Sequence, residues 1–198
     1  GKTTLINLIT GLIKPTSGII KVNNENLFSH ISSWRNCIGY VPQDVYLMDD
    51  TIKKNIAFGI DVKDIDNSKL DQAVLKSNLK EFILNLPDKI NTIVGDRGAR
   101  ISGGQKQRIG IARALYDIKD VIIIDEGTNS LDIENEKNLV KNIFSIGKNK
   151  TIIMISHNHE TLKNCDEIII IDNGKILDKG NYNDLKNKYD FKNFINEK

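Results

Sequence analysis

Residues 102–105 form a glycine-rich turn, Ser-Gly-Gly-Gln, and residues 106–116 follow it with apolar side chains at helical spacing. The first N–H groups of a helix have no acceptor within the helix, and the helix dipole is positive at that end. Such a turn can therefore bind an anion such as a phosphate. A Ser-Gly-Gly turn also occurs in ordinary loops, so it predicts an anion site only together with other groups.

Two adjacent carboxylates, Asp125 and Glu126, follow the apolar run of residues 121–124. A run of β-branched residues is typical of a strand that is buried on both faces of a parallel sheet. In open α/β sheets, ligands bind at the carboxyl ends of the strands. One carboxylate there can ligate Mg²⁺, and a second can take a proton from an attacking water. A strand that ends in Asp-Glu also occurs in α/β proteins without such chemistry, so this pair alone leaves both interpretations open.

The chain begins with Gly1-Lys2-Thr3-Thr4, which matches the last part of the phosphate-binding loop G-x-x-x-x-G-K-[ST]. In that loop, backbone N–H groups surround the phosphates, the lysine contacts the β- and γ-phosphates, and the hydroxyl binds Mg²⁺. The match predicts that the front of the loop and the strand before it lie upstream of Gly1. It also predicts that residues 1–198 alone bind ATP weakly.

These groups stand in the order found in the ATP-binding cassette (ABC) ATPases, and the resemblance spans nearly the whole chain. The matching segments are Gly1-Lys2-Thr3, Gln43, residues 101–105, Asp125-Glu126, residues 130–132 and His157. The Ser-Gly-Gly-Gln signature is specific to this family, whereas the phosphate-loop remnant is not. Gly127 and Asn129 depart from the residues usual in the family, and we expect them to alter loop geometry only.

The resemblance implies three sets of site residues. The catalytic residues are Glu126 as the base that activates water, His157 as a contact of the γ-phosphate, and Gln43. The ATP-binding residues are Gly1, Lys2, Thr3 and Thr4, together with Ser102, Gly103, Gly104, Gln105 and Asp132 at the interface with a second cassette in a head-to-tail dimer. The Mg²⁺ ligands are Thr3, Gln43 and Asp125.

The apolar pattern predicts an α/β fold, and the resemblance implies a P-loop NTPase (RecA-like) core with a parallel sheet. We predict strands at residues 18–22, 37–41, 121–124, 151–155, 167–171 and 175–177, and helices at 2–13, 52–58, 68–79, 80–86, 106–116, 134–146 and 183–197. Buried strands that alternate with helices favour a parallel sheet. Residues 44–112 are predicted to form a helical subdomain inserted in one ABC ATPase domain that spans residues 1–198.

Composition limits the class of protein. The chain has 198 residues, enough for one domain with its own core. Its net charge of +2 is too small to favour nucleic acid as a partner. The longest apolar runs have the length of a strand, so the sequence predicts no membrane-spanning helix. The two cysteines, Cys37 and Cys165, lack metal-ligand spacing, and we predict that they stay reduced as in the cytosol.

Three functions remain open from the sequence. The first is the ATPase domain of a transporter, at the cytoplasmic face of a membrane (the inner membrane if bacterial), with the membrane domain fused upstream. The second is a soluble ABC ATPase that acts on DNA or ribosomes. The segment between Gln43 and Ser102 is too short for the coiled coil of chromosome-type members, and a single cassette is present where ribosome-acting members have two. The third is a nucleotide sensor without catalysis, which Glu126 and His157 argue against.

Two segments resemble those of exporters in particular. Residues 43–59 resemble the exporter pattern after the Gln loop. Residues 94–98, Val-Gly-Asp-Arg-Gly, resemble the exporter loop that touches the membrane domain. Asp96 stands where exporters usually have Glu, which keeps the charge on a shorter side chain. The resemblance thus implies export or flipping of a substrate powered by ATP hydrolysis. Lipids, lipid-linked glycans, peptides and drugs are all open as cargo, with a lipid or lipid-linked glycan as the first candidate.

Overall fold

The computed structural model describes residues 1–126, 133–146, 150–156, 158–189 and 191. The chain divides into two compact units, Gly1–Asn36 with Ile155–Lys198, and Cys37–Met154. The helices are α1 (Lys2–Ile9), α2 (Ile31–Asn36), α3 (Ile52–Ile56), α4 (Asn67–Lys76), α5 (Lys80–Leu84), α6 (Gly103–Tyr116), α7 (Ile133–Ile146), α8 (His159–Leu162) and α9 (Tyr182–Lys188). The strands are β1 (Lys21–Val22), β2 (Glu25–Asn26), β3 (Ile38–Val41), β4 (Val121–Asp125), β5 (Thr151–Ile155), β6 (Ile168–Asp172) and β7 (Lys175–Gly180). In the part of the chain that is described, no helix is long and apolar enough to cross a membrane.

A three-stranded parallel sheet has the strand order β3-β4-β5. Strands β3 and β4 pair from Ile38 opposite Val121 to Val41 opposite Ile124. Every residue of β4 is buried, which explains why its β-branched run is interrupted by a polar residue only at Asp125. The predicted α/β class and the parallel sheet are therefore confirmed.

Helix α6 packs against β3 and against α3 and α4. It begins at Gly103, before the predicted start at residue 106, because the side chains of Ser102 and Gln105 cap it. Its buried side chains, such as Ile109, join one core with residues of β4 and α7. Burying one such side chain contributes about 1.5–3 kcal/mol relative to leaving it exposed, so packing rather than helix propensity holds α6 in place.

The first helix ends earlier than predicted. Helix α1 ends at Ile9 rather than at residue 13, because Gly11 has φ of +70° and a Cβ there would overlap the Ile31 side chain. The Trp34 indole donates to the Ile9 carbonyl and the Arg35 guanidinium to the Gly11 carbonyl, each at 2.7 Å. Both donors lie on α2, a helix that the sequence analysis missed. They satisfy carbonyl groups that a helix end leaves without intrahelical partners.

Three helices of the second unit also end before their predicted bounds. Helices α3, α4 and α5 end at Ile56, Lys76 and Leu84, whereas the apolar pattern predicts ends at residues 58, 79 and 86. After α4 the chain turns at Asn78, whose φ of +56° is left-handed and cannot continue a helix. Apolar residues continue at helical spacing across this turn, so the sequence pattern overestimated the length of α4.

The strands of the first unit pair as hairpins. Strand β6 pairs antiparallel with β7 in a separate two-stranded sheet, so the expectation that residues 167–171 join the parallel sheet is wrong. The turn at Asn173 and Gly174, with φ of +45° and +76°, is the predicted hairpin turn. It explains the pairing, because a two-residue turn brings the next strand back antiparallel, whereas a parallel neighbour needs a long crossover.

The remaining elements of the first unit differ from prediction in length. The strand predicted at residues 18–22 is reduced to β1, which pairs antiparallel with β2, and β7 continues to Gly180 beyond the predicted residue 177. Helix α9 packs against β7 through the buried Leu185. It ends at Lys188, and most of the predicted helix beyond that residue lies outside the described residues. Cys37 and Cys165 are free thiols.

Candidate active site

Gln43 and Glu126 lie at the edge of the parallel sheet where β3 and β4 end. Because Val41 pairs with Ile124, each of these two residues stands two positions beyond a matched pair. The Gln43 Nε2 donates a hydrogen bond to Glu126 Oε2 at 3.1 Å. An ionised carboxylate can only accept hydrogen bonds, so the amide nitrogen of Gln43 is suited to fix its orientation.

Asp125 and Glu126 are both buried, with 5% and 9% of their surface exposed. Carboxylates are rarely buried unless they are paired, hydrogen-bonded or placed for function. Glu126 also has φ of +49°, a left-handed conformation that costs a non-glycine residue about 1–2 kcal/mol. Such a cost persists only where the surrounding structure imposes it, and these positions cluster at active sites.

Tyr40 contacts Asp125, a contact that the sequence analysis missed. Burial raises the pKa of Tyr40 above its usual value, and the charge and hydrogen bond of Asp125 raise it further. Tyr40 pairs with Ile123, and Asp125 follows two residues later, so alternation places Tyr40 and Asp125 on one face of the sheet. Only the strand register reveals this pair, and no motif in the sequence supplies the register.

Gln107 on α6 is a second residue that the sequence analysis missed. It is buried, with 5% of its surface exposed, and its Nε2 donates to the main-chain carbonyl of Gln43 at 3.4 Å. Residues that follow it by one and two turns on the same side of α6, Ile111 and Ala114, are apolar and buried. A glutamine at a core position of an otherwise apolar helix face is the signal that could have identified it.

The predicted anion-binding turn forms the start of α6. Ser102 Oγ accepts from the Gln105 N–H at 3.3 Å, and Gln105 Oε1 accepts from the Ser102 N–H at 2.9 Å. This reciprocal pair is a capping box, so both side chains serve the helix start. Gly103 and Gly104 belong to the first turn of α6, whose N–H groups have no acceptor within the helix.

The phosphate-loop remnant lies at the start of α1. Gly1 caps this helix, Lys2 is its first residue and half-buried, and Thr3 and Thr4 are exposed. A Cβ on Gly1 would lie 3.8 Å from the Cα of Gly174, at the β6–β7 turn. These residues belong to the first unit, whereas the Gln43–Glu126 pair belongs to the second.

The other predicted site residues, Asp132 and His157, lie outside the described residues, as do Gly127 and Asn129. Within the described ranges, no group of three His, Cys, Asp or Glu side chains could hold a metal ion by itself. Mg²⁺ keeps several water ligands and takes one or two carboxylates together with phosphate oxygens. The oxygen donors of Asp125 and Gln43 therefore fit Mg²⁺ in a nucleotide complex.

The parallel sheet with carboxylates at its carboxyl edge, together with a Gly-Lys-Thr helix start, defines a P-loop nucleotide-binding domain. A family model described as ABC transporter matches residues 1–129, more than half of the chain. The chain belongs to the ABC transporter family.

The chain is similar to bacterial proteins named ATP-dependent lipid A-core flippase. It is 37% identical over 187 residues to one from Ralstonia nicotianae and 40% identical over 189 residues to one from Wigglesworthia glossinidia brevipalpis. These matches cover 93% and 95% of this chain but 32% of each relative. A solved bacterial Atm1-family ABC exporter with ATP bound matches with a TM-score of 0.91 and 31% identity, over 98% of this chain and 34% of that chain. The chain thus spans about a third of the length of the relatives it matches.

Proposed function

We propose that this chain is the ATP-hydrolysing domain of an ABC exporter that moves a lipid or lipid-linked glycan across a membrane. The observation that carries the proposal is the buried Glu126 carboxylate, which Gln43 hydrogen-bonds at 3.1 Å beside the buried Asp125. A carboxylate of fixed orientation at the carboxyl edge of a parallel sheet is suited to take a proton from an attacking water. Similarity to proteins named lipid A-core flippases supports the class of cargo.

In this mechanism Glu126 is the general base and Gln43 orients its carboxylate, while His157 contacts the γ-phosphate. The residues that bind the phosphates are Gly1, Lys2, Thr3 and Thr4. The residues that would hold Mg²⁺ are Thr3, Gln43 and Asp125. When bound, Mg²⁺ would supply positive charge to the phosphate oxygens. The work of the chain's own residues is then to position the phosphates and to accept the proton of the water at Glu126.

We also propose that two such domains pair head to tail, so that each signature turn contacts the ATP of the other domain. The residues for this contact are Ser102, Gly103, Gly104, Gln105 and Asp132. Exposure of Ser102 and Gly103 at the start of α6 supports this assignment. The N–H groups and the dipole of this helix start would favour a phosphate brought by a second chain.

The membrane domain would be another part of the same polypeptide, and this domain would lie on the cytoplasmic face. We propose that residues 44–112 form a helical subdomain that contacts the membrane domain. Two large side chains of this region, Tyr46 and Phe58, are 60% and 52% exposed, which suits a contact surface. The Arg113 guanidinium lies 4.8 Å from the centre of the Phe58 ring and holds it beside α6.

The loop that contains the exposed Asp96 is connected to the start of α6. The N–H of Val94, the first residue of the loop, donates to the Asp50 carbonyl at 3.1 Å. At the other end, a Cβ on Gly98 would lie 2.9 Å from Lys106 Cε, in the first turn of α6. A displacement of Asp96 by a partner would therefore reach the signature turn through a few residues, which supports a coupling role for this loop.

We expect Asp96→Ala, in the full-length protein reconstituted in lipid vesicles, to lower transport and substrate-stimulated hydrolysis about tenfold. Basal hydrolysis should stay within about twofold of wild type, because the proposed contact of Asp96 is with the membrane domain and not with the nucleotide. The measurements are movement of a labelled lipid-linked substrate and release of phosphate in the same vesicles.

Two control variants accompany this test. Asp88→Ala removes another exposed acid from the same region and should leave transport unchanged. Asp96→Glu keeps the charge and should retain transport. If Asp96→Ala transported the substrate at the wild-type rate, the coupling role of this loop would be contradicted. If the wild-type protein moved no lipid-linked substrate, the proposed cargo would be contradicted.

A further inference from the structure

Gln107 is a buried side chain that the proposed mechanism does not use. It lies on α6 with 5% of its surface exposed, and the helix positions that follow on this face are buried and apolar. Burying an amide is costly unless the amide is hydrogen-bonded. A leucine would fill a similar volume without that cost, so the amide at this position requires an explanation.

The partner of this amide is the main chain of Gln43. Gln107 Nε2 donates to the Gln43 carbonyl at 3.4 Å, and the Gln43 side chain donates to Glu126 Oε2 at 3.1 Å. Two hydrogen bonds therefore connect α6 to the Glu126 carboxylate, and Gln43 is the single residue between them.

Helix α6 contacts the same segment again one turn later. Gly110 follows Gln107 by three residues, so both lie on one side of the helix. A Cβ on Gly110 would lie 2.6 Å from Val45 Cγ2, which means that the Val45 side chain touches the backbone of α6. These two contacts hold residues 43–45 against α6 at two points. They fix the direction in which the Gln43 side chain leaves the main chain.

We propose that Gln107 is a positioning residue for hydrolysis, which holds the Gln43 carbonyl and thereby sets the orientation of the Glu126 carboxylate. This inference rests on the proposed function. It also connects two neighbouring turns of α6: the first turn is the proposed contact for the ATP of a second domain, and Gln107 is on the following turn. A shift of α6 changes the distance from Gln107 to Gln43, so the orientation of the base follows the position of the signature turn.

The test uses Gln107→Leu in the full-length protein, a variant that keeps the buried volume and removes the donor. We expect kcat for ATP hydrolysis to fall roughly tenfold while KM stays within about twofold, because the lost contact orients a group that acts in the transition state. Gln107→Met, whose unbranched side chain adapts to the same space, is measured alongside and should show the same loss.

A double-mutant cycle separates positioning from a merely structural role. Gln43→Ala removes the side chain that Gln107 orients but keeps the carbonyl that Gln107 binds. In that background we expect Gln107→Leu to lower kcat by less than about twofold, because no side chain is left to orient. A structural role would give the same fold loss in both backgrounds.

Arg108→Met is the matched control, since Arg108 is the next residue on α6 and donates to another main-chain carbonyl, that of Asn78, at 3.0 Å. It should leave kcat within about twofold of wild type, because its hydrogen bond holds the turn after α4 and not residues 43–45. Unchanged kcat in both Gln107 variants, or equal losses with and without Gln43→Ala, would overturn this inference alone. A wild-type protein that hydrolyses no ATP would overturn the proposed function as well, so the two failures can be told apart.

Discussion

Glu126→Gln is expected to lower steady-state ATP hydrolysis by about 10²–10⁴-fold while ATP still binds. The amide has nearly the size of the carboxylate, and its carbonyl oxygen can still accept the hydrogen bond that Gln43 donates at 3.1 Å. It cannot take a proton from an attacking water. The loss should therefore appear in kcat rather than in KM, measured as phosphate release by the full-length protein with Mg-ATP.

Glu81→Gln is the control for this substitution, because Glu81 is exposed on α5 and loses the same charge. It should hydrolyse ATP at the wild-type rate. Glu126→Gln should also keep the wild-type unfolding temperature, because the left-handed φ of +49° imposes a similar cost on both side chains. Hydrolysis near the wild-type rate in Glu126→Gln would contradict the assignment of the base.

Gly110→Ala is expected to destabilise the domain, although glycine to alanine in a helix usually stabilises by about 0.5–1 kcal/mol. At this position the new Cβ would lie 2.6 Å and 2.8 Å from the two γ-carbons of Val45. The Val45 Cβ would itself lie 3.3 Å from the new methyl group and does not move on rotation about χ1, so the site stays crowded, and overpacking a core costs about 1–3 kcal/mol. The cost exceeds the gain, so we expect the thermal midpoint of this domain in the full-length protein to fall by about 2–8 °C.

The double variant Gly110→Ala with Val45→Ala tests the cause of this destabilisation. Removing both γ-carbons of Val45 leaves room for the new methyl group, so the midpoint should recover relative to Gly110→Ala alone. A midpoint at or above wild type in Gly110→Ala would contradict the close approach of α6 to Val45. An equal fall in the single and double variants would contradict Val45 as the side chain that resists.

The sequence was sufficient where a local pattern determines structure. The β-branched run before Asp125 predicts β4, because only a strand buried on both faces accommodates it. Helical spacing after the Ser102 turn predicts α6, and the capping box explains why the helix includes Gly103 and Gly104. The ABC resemblance was confirmed by the family match, whereas the roles of Glu126 and its neighbours stay predictions until they are tested.

The sequence was insufficient where strand register or tertiary packing determines which residues meet or where an element ends. Tyr40 and Gln107 lie outside the motifs identified in the sequence, and they become parts of the candidate site only once β3 is paired with β4 and α6 is packed beside Gln43. The early end of α1 depends on the approach of Ile31 and the donors of α2, which are distant in sequence. Strand β6 has the composition of a parallel strand, and the tight turn after it determines its antiparallel pairing.

Phosphate release by the full-length protein in lipid vesicles, followed with Mg-ATP and compared with Glu126→Gln in the same vesicles, tests whether this domain hydrolyses ATP with Glu126 as the base. We expect sustained, ATP-dependent release by the wild type, with kcat in the range of about 1–10³ s⁻¹ usual for enzymes, and almost none by the variant. ATP binding without phosphate release by the wild type, or equal release by both proteins, would contradict this function.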